Sequence, residues 1–284
     1  MELLDIIALA IIQGITEFLP ISSSGHLALW PILTGRTDQG VVMDVAVHLG
    51  TLVAVCLFFR AEVGKLFVGT SHIATGRTGT EQAKLTLLLV VATVPAVIAG
   101  LTLKLTGALD AVRADQRLLI EVIGWATLGF GILLWLADKA VDTRGPAETW
   151  TLRDAILMGL AQAIALIPGT SRSGITMTAG RWLGFDRTQA ARLALLMAVP
   201  TILAAGTVET LGVLKDGNLK LGLELALGAA LSCIAALAAL WAMMRMFASA
   251  WTMTPFVLYR LALGILLLGI AYGVIPFDLA APPA

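Results

Sequence analysis

Six long apolar stretches constrain this chain more than any other feature of its sequence. A helix needs about 20 mostly apolar residues to cross the hydrocarbon core of a bilayer. Charged residues make up only 13% of the 284 residues, whereas soluble proteins carry about 25%. The sequence therefore predicts an all-α integral membrane protein with one membrane domain, residues 1–284. The predicted transmembrane helices lie at about 41–59, 85–103, 118–137, 193–213, 222–244 and 255–275.

Two further apolar segments are too short or too interrupted to cross a bilayer. In the segment 3–35, the apolar runs 3–12 and 27–33 are separated by a polar, serine-rich stretch. The segment 154–180 is interrupted in the same way at Pro168. Short apolar pieces broken by such a turn are typical of re-entrant segments, whose irregular backbone must be buried in protein or line a cavity. We therefore predict two re-entrant helical hairpins, 3–35 and 154–180.

The two hairpins share a sequence pattern that predicts an internal repeat. Asp5 precedes Gln13 by eight residues, and Asp154 precedes Gln162 by eight. Each stretch then reaches a proline that is followed by hydroxyl residues. The similarity is short, so coincidence is the alternative. Three predicted spans separate the hairpins, and an odd number inverts the second copy, an arrangement that places binding sites near the midplane. The predicted inverted-topology repeats run over about 1–137 and 154–275.

The distribution of lysine and arginine predicts the orientation of the chain. Loops on one side, at 60–84, 138–153, 181–192 and Arg245, carry 11 of these residues, and the loops on the other side carry 6. Basic loops stay in the cytoplasm. The first hairpin is then expected to enter from the outer side and the second from the cytoplasm.

The first hairpin contains one ionisable cluster, between Gln13 and His26. Glu17 is expected to be either desolvated, which suits general acid/base work, or paired with a cation. A structural cap on the following turn is the alternative. One of Ser22, Ser23 and Ser24 should cap the second short helix, Ser24 being as good a candidate for this as for binding an anion. His26 is close enough in sequence to take a proton from a serine or to attack phosphorus itself.

The second hairpin contains Arg172 within the segment 168–174. An arginine at membrane depth needs an anionic partner, and its planar fork suits two phosphate oxygens. An internal ion pair with Glu17 is the alternative. Around Arg172, glycines allow close backbone approach and hydroxyls supply donors: Gly169, Thr170, Ser171, Ser173 and Gly174. We predict that the two clusters meet in one anion-binding, phosphate-cleaving site.

Three polar side chains outside the clusters are secondary candidates. Asp44 and His48 lie on one face of the first predicted span, at i and i+4, where both would line the cavity or His48 would only hydrogen-bond a neighbouring helix. Arg260 lies near the end of a predicted span and is expected to extend its charged group toward the interface.

Several function classes are disfavoured by the sequence. The net charge is zero, which gives no bulk basic surface for nucleic acid, and there is neither a glycine-rich lysine loop for ATP nor a His/Cys metal cluster. A transporter is the competing class, because inverted repeats are a carrier architecture. A carrier would need Arg172 and the hydroxyls for binding, but it would not need a nucleophile and a base.

The two motifs, residues 13–26 and 168–174, resemble those of the undecaprenyl-diphosphate phosphatase family, also called the bacitracin-resistance family. The resemblance implies a multi-pass enzyme of the bacterial inner membrane with its site open to the periplasm. It implies that the enzyme acts on a polyprenyl diphosphate lipid, recycles the lipid carrier of peptidoglycan synthesis and depends on a divalent cation. The oligomeric state is left open, a homodimer included, as is lipid flipping.

The resemblance also implies the roles of individual residues: Glu17, Ser22, Ser23, His26 and Arg172 would form the functional group. Many relatives carry glutamate where this chain has Gln13, which puts Gln13 in doubt as a metal ligand. The combined hypothesis is that Mg²⁺ or Ca²⁺ bridges Glu17 and the diphosphate while Ser23 attacks the terminal phosphorus. Ser22, His26 and an activated water are the alternative nucleophiles.

Overall fold

The computed structural model describes residues 2–145, 149–215, 222–249 and 251–277, of which 208–215 by their backbone alone. These residues form twelve α-helices and no strand. The helices are α1 (Leu3–Thr16), α2 (Ser23–Thr34), α3 (Gly40–Phe58), α4 (Arg60–Ala74), α5 (Glu81–Thr106), α6 (Ala108–Ala114), α7 (Gln116–Asp138), α8 (Leu152–Ile164), α9 (Arg172–Trp182), α10 (Arg187–Lys215), α11 (Gly222–Ala248) and α12 (Thr254–Ala271).

Six of these helices are long and apolar enough to cross a membrane: α3, α5, α7, α10, α11 and α12. The six predicted spans are therefore confirmed, and the chain is a multi-pass membrane protein. Helices α5 and α10 begin a few residues earlier than the apolar stretches, at Glu81 and Arg187. Hydrophobicity marks only the part of a helix that lies in hydrocarbon, whereas the hydrogen-bonded helix itself continues into polar sequence.

The polar stretch 60–84, predicted as a loop, instead contains helix α4. This helix buries Val63 and packs closely against α5. At Gly69 the helices approach so closely that an added methyl group would stand 2.3 Å from the Gln82 carbonyl oxygen. The composition of residues 60–84 did not predict helix α4, because a mostly polar helix needs only one narrow buried face to pack against the bundle.

The two predicted hairpins are pairs of short helices, α1 with α2 and α8 with α9. Their lengths are 14, 12, 13 and 11 residues, less than the roughly 20 residues that a span needs. That they dip into a bilayer and return stays a prediction.

The two halves of the chain interlock through these short helices. Helix α1 of the first half packs on α11 of the second, and α8 packs on α5 of the first half. Both contacts depend on a glycine. A methyl at Gly14 would lie 2.6 Å from the Ser232 carbonyl oxygen, and one at Gly159 the same distance from that of Ala92. Such reciprocal packing is what the predicted repeats would produce. Their inverted orientation stays a prediction, and residues 216–221 and 250 of the second repeat lie outside the described residues.

Helices α3 and α11 approach each other closely at a glycine. A methyl at Gly50 would stand only 2.1 Å from the carbonyl oxygen of Ala229. We expect Gly50→Ala to destabilise the protein by about 1–3 kcal/mol, because two helix backbones must separate to admit the side chain. Thermal unfolding in detergent, followed by tryptophan fluorescence, measures this. Gly64→Ala is the control, since no atom of the described residues lies within 4 Å of its added methyl. Equal melting temperatures of the two variants would contradict the prediction.

Candidate active site

The two helices of each short pair are joined by a turn, and the two turns match. The first turn is residues 17–22, between α1 and α2, and the second is residues 165–171, between α8 and α9. Ser22 precedes α2 with φ of 77°, and Ser171 precedes α9 with φ of 72°. Residues other than glycine rarely adopt this left-handed region, which stores about 1–3 kcal/mol of strain. Each serine side chain caps its helix by accepting from a backbone N–H, Ser22 from Gly25 at 3.3 Å and Ser171 from Gly174 at 3.1 Å. The cap of α2 is therefore Ser22, and the prediction that Ser24 could fill that role was wrong.

The two turns lie against each other and against α7. A methyl added to Gly25 would lie 3.5 Å from the Cα atom of Gly169, and the Ser173 hydroxyl donates to the Leu19 carbonyl at 2.9 Å. Gly169 has a φ of 90°, and a side chain there would meet the Ile123 carbonyl oxygen at 2.7 Å. The structure thus brings the predicted clusters together and explains Gly169 by its close contact with α7.

Glu17, which lies between α1 and α2 outside the six spans, is the centre of the site. Only 7% of the residue is exposed. Its Oε2 atom accepts from Ser23 Oγ at 2.5 Å and from Gln13 Nε2 at 3.0 Å. Its Oε1 atom accepts from Arg172 Nη2 at 2.7 Å. Burial raises the pKa of Glu17, but the Arg172 charge, aided by His48 and the two hydrogen bonds, brings it below its ordinary value. Of the two predicted states of this carboxylate, the paired one is present.

The ion pair with Glu17 uses only part of the Arg172 guanidinium. Nη2 binds the carboxylate, while Nη1 is buried and has no hydrogen-bond partner among the described residues. A buried charged donor without a partner costs at least about 1–3 kcal/mol. Arg172 can thus hold Glu17 with one nitrogen and still offer another to an anion.

Among the described residues, neither ring nitrogen of His26 contacts a serine hydroxyl, as proton transfer from a serine to His26 would require. Its Nδ1 lies 2.6 Å from the Ser22 carbonyl oxygen, and its Nε2 lies 2.5 Å from the Tyr259 hydroxyl. A carbonyl can only accept, so Nδ1 carries the proton of the neutral ring and Nε2 accepts from Tyr259. Burial lowers the pKa of His26 by more than the bond to Ser22 raises it. Tyr259 was missed, because a tyrosine 233 positions away on an apolar span gives no sequence signal of this contact.

The remaining candidate residues differ in their burial and in their contacts with the Glu17 cluster. Ser24 is exposed, with its Oγ 3.4 Å from that of Ser22. Thr170 is buried, and its hydroxyl has no partner in the part of the chain that the structure describes. His48 Nε2 lies 3.8 Å from Glu17 Oε2, so it belongs to the cluster. Asp44 instead accepts from Gln39 at 2.9 Å.

Arg260 lies in the interior of the protein and not at the membrane interface. It is 1% exposed, so the prediction that its charge extends toward the interface was wrong. Its guanidinium donates to main-chain carbonyl oxygens of α7 and of both turns. A position near a span end does not show where an arginine points, because that depends on which carbonyls the neighbouring chain leaves free.

The oxygen-rich first turn can take part in holding a hard cation. Among the described residues no three His, Cys, Asp or Glu side chains form a metal-binding group. Gln13 Oε1 is, however, a buried acceptor without a partner in the described part of the chain, and the amide nitrogen of the same side chain binds the Glu17 carboxylate. Oxygen ligands of this kind suit Mg²⁺ or Ca²⁺, and Mg²⁺ is usually held by one or two carboxylates together with substrate phosphates. The residues present fit such a shared cation, and they do not fit a cation held by the protein alone.

Comparisons with known proteins match nearly the whole chain. The family model described as Bacitracin resistance protein BacA matches residues 6–266. An undecaprenyl-diphosphatase of Jannaschia sp. (strain CCS1) is 52% identical over 272 residues, covering 96% of this chain and 100% of that protein. One of Roseobacter denitrificans is 50% identical with the same coverage. One of Teredinibacter turnerae is 45% identical over 94% of this chain and 98% of its own length.

Proposed function

Because the chain belongs to the bacitracin-resistance protein family, we propose that it hydrolyses undecaprenyl diphosphate to undecaprenyl phosphate and inorganic phosphate. Its relatives across the full length are named undecaprenyl-diphosphatase. The observation that carries the proposal is the contact of 2.5 Å between Ser23 Oγ and Glu17, a carboxylate that Arg172 also binds. A nucleophile in contact with a base, beside a cationic anion-binding group, is the apparatus of group transfer.

The mechanism that we propose starts with the diphosphate at the two turns. Arg172 Nη1 and the first amides of α2 and α9 bind the phosphoryl oxygens, since helix starts attract anions. Glu17 takes the proton of Ser23 as Oγ attacks the terminal phosphorus. The bond between that phosphorus and the bridging oxygen breaks, and the lipid monophosphate leaves. Glu17 passes the proton of Ser23 to the departing lipid monophosphate and so returns to its carboxylate form. It then takes a proton from the water that attacks the phosphoserine and gives this proton to Ser23 Oγ as the bond between Oγ and phosphorus breaks, which releases inorganic phosphate and restores the Ser23 hydroxyl.

The geometry favours Ser23 over the other candidate nucleophiles. Ser22 Oγ is committed to the Gly25 N–H, and the residue is only 2% exposed. Both nitrogens of His26 are occupied, by Ser22 and Tyr259. Ser23 is less buried than Ser22 and already contacts the base.

A divalent cation would bind between this site and the substrate. Glu17, Ser23 and the Gln13 carbonyl oxygen are the protein atoms that would hold it. When bound, the ion would neutralise charge that develops on the diphosphate oxygens. Because this chain has an amide at position 13, we expect it to hold such an ion largely through the substrate.

The proposed activity places the protein in the bacterial inner membrane, where it would recycle the lipid carrier of peptidoglycan synthesis and confer bacitracin resistance. We propose that the site opens to the periplasm, as the family resemblance implies; the excess of lysine and arginine in one set of loops supports only a cytoplasmic location of those loops. Transport of a lipid phosphate through the same site would leave the contact between Ser23 and Glu17 without a role.

Phosphate release by the purified protein in detergent tests this function. Detergent micelles have no leaflets, so a transporter would release none. We expect release of one phosphate per polyprenyl diphosphate, and loss of activity with a chelator that added Mg²⁺ or Ca²⁺ reverses. A series of isoprenoid lengths would define the preferred lipid. Absence of phosphate release with every lipid and cation would refute the proposal.

A further inference from the structure

Arg260 is a buried cation that is held by main-chain oxygens. Among the described residues, each of its hydrogen bonds goes to a carbonyl group and none to a carboxylate. A buried charge is expensive unless many hydrogen bonds satisfy it. The protein therefore retains a positive charge here that no acidic side chain of the described residues contacts.

The carbonyl partners of Arg260 come from three separate elements. In the first turn, Pro20 accepts at 3.2 Å. In the second turn, Gly169 and Thr170 accept at 3.1 and 3.0 Å. The last two carbonyls, of Ala126 and Thr127, belong to α7. The Arg260 guanidinium thus joins both turns to helix α7.

We propose that Arg260 is a positioning residue, which holds the two anion-binding turns in register and keeps a fixed positive charge behind them. The proposal rests on the phosphatase function above. In a planar trans peptide the C=O and N–H point in opposite directions. Binding the Thr170 carbonyl therefore turns the N–H of Ser171, at the start of α9, away from the guanidinium. Groups fixed in this way stabilise charge without reorganising during the reaction.

Gly131 of α7 makes room for the Arg260 side chain. A methyl group on Gly131 of α7 would lie 3.1 Å from Arg260 Cβ and 3.4 Å from its Nε. The arginine side chain therefore lies along α7 where a glycine makes room for it. This holds the guanidinium at one place, which a positioning role requires.

A second buried arginine provides a matched control. Arg181, on α9, is 2% exposed and binds the Asp142 carboxylate and several carbonyls. It lies nine residues beyond Arg172, about 14 Å along the helix. Removing either arginine should lower stability, but only the loss of Arg260 should change the site.

The test compares Arg260→Met, Arg260→Lys and Arg181→Met as monodisperse, folded protein in detergent. We expect kcat per folded molecule of Arg260→Met to fall about 100-fold, the effect of a misplacement of about 1 Å. Its affinity for inorganic pyrophosphate, measured by calorimetry, should fall as well. Arg260→Lys keeps the charge and should recover part of both. Arg181→Met should have a lower melting temperature and unchanged kcat and pyrophosphate affinity.

The proposal would be overturned if Arg260→Met kept the wild-type kcat and the wild-type affinity for pyrophosphate. It would also be overturned if Arg181→Met lost as much kcat and pyrophosphate affinity as Arg260→Met does. If Arg260→Met does not fold, the same two measurements on Arg260→Lys decide. A wild-type protein that binds pyrophosphate but releases no phosphate would refute the phosphatase function alone, since the affinities of the variants would still test Arg260. A wild-type protein that does not bind pyrophosphate would overturn the positioning role.

Discussion

Replacement of Arg172 by alanine will lower kcat/KM for polyprenyl diphosphate by about 10³-fold, which corresponds to ~4 kcal/mol of transition-state stabilisation. The guanidinium binds Glu17 through Nη2 and has a second buried nitrogen without a partner among the described residues. That nitrogen is where charge developing on the phosphoryl oxygens would be met. Phosphate release under single-turnover conditions separates the loss in chemistry from the loss in binding.

Two variants separate the roles of Arg172 from general damage. Arg172→Lys keeps a positive charge but loses the fork that can hold the carboxylate and a phosphoryl oxygen together, so we expect it to recover only part of the rate. Arg36→Ala removes the ion pairs with Glu2 and Asp5 at the other end of the first short pair and should leave turnover unchanged. Near-normal turnover of Arg172→Ala would remove this residue from the mechanism.

Much of the architecture could be predicted because it depends on composition along the chain. Apolar stretches of spanning length gave the six spans, and the cost of polar groups in hydrocarbon marked residues 13–26 and 168–174 as functional. The same cost predicted an anionic partner for Arg172, with phosphate oxygens as the expected ligand and Glu17 as the alternative. A buried arginine needs an anion, and in the structure Glu17 is that anion.

What could not be predicted depends on the direction of individual side chains. His26 lies three residues from Ser23 in the first turn of α2, but its ring points toward Tyr259 instead. The left-handed conformation of Ser22 has no signal in a row of three serines. Arg260 was misread because its partners are carbonyl groups, which every residue has and no sequence pattern marks. The missed residues are thus those whose roles depend on contacts between helices far apart in the chain.

Ser23→Ala and Glu17→Gln will each lower kcat by at least about 10³-fold, and the double variant will be no slower than the slower single variant. We expect the losses to be non-additive because Ser23 Oγ lies 2.5 Å from Glu17 Oε2, so the two residues act together in the same proton transfer. Without its base the serine is a weak nucleophile, and without the serine the base has no proton to take. Single-turnover phosphate release by all three variants measures this, with Ser249→Ala, an exposed serine at the end of α11, as the control.

The covalent intermediate distinguishes this mechanism from the alternatives. Acid quenching during turnover of substrate labelled in the terminal phosphate should trap label on Ser23, because phosphoserine withstands acid. Label that is lost in acid but retained in base would instead indicate a phosphohistidine at His26. Additive losses in the double variant, together with no adduct on any residue, would show that Glu17 activates a water directly. In that case Ser23 would orient Glu17, and the short hydrogen bond between them would serve binding of the diphosphate and not its attack.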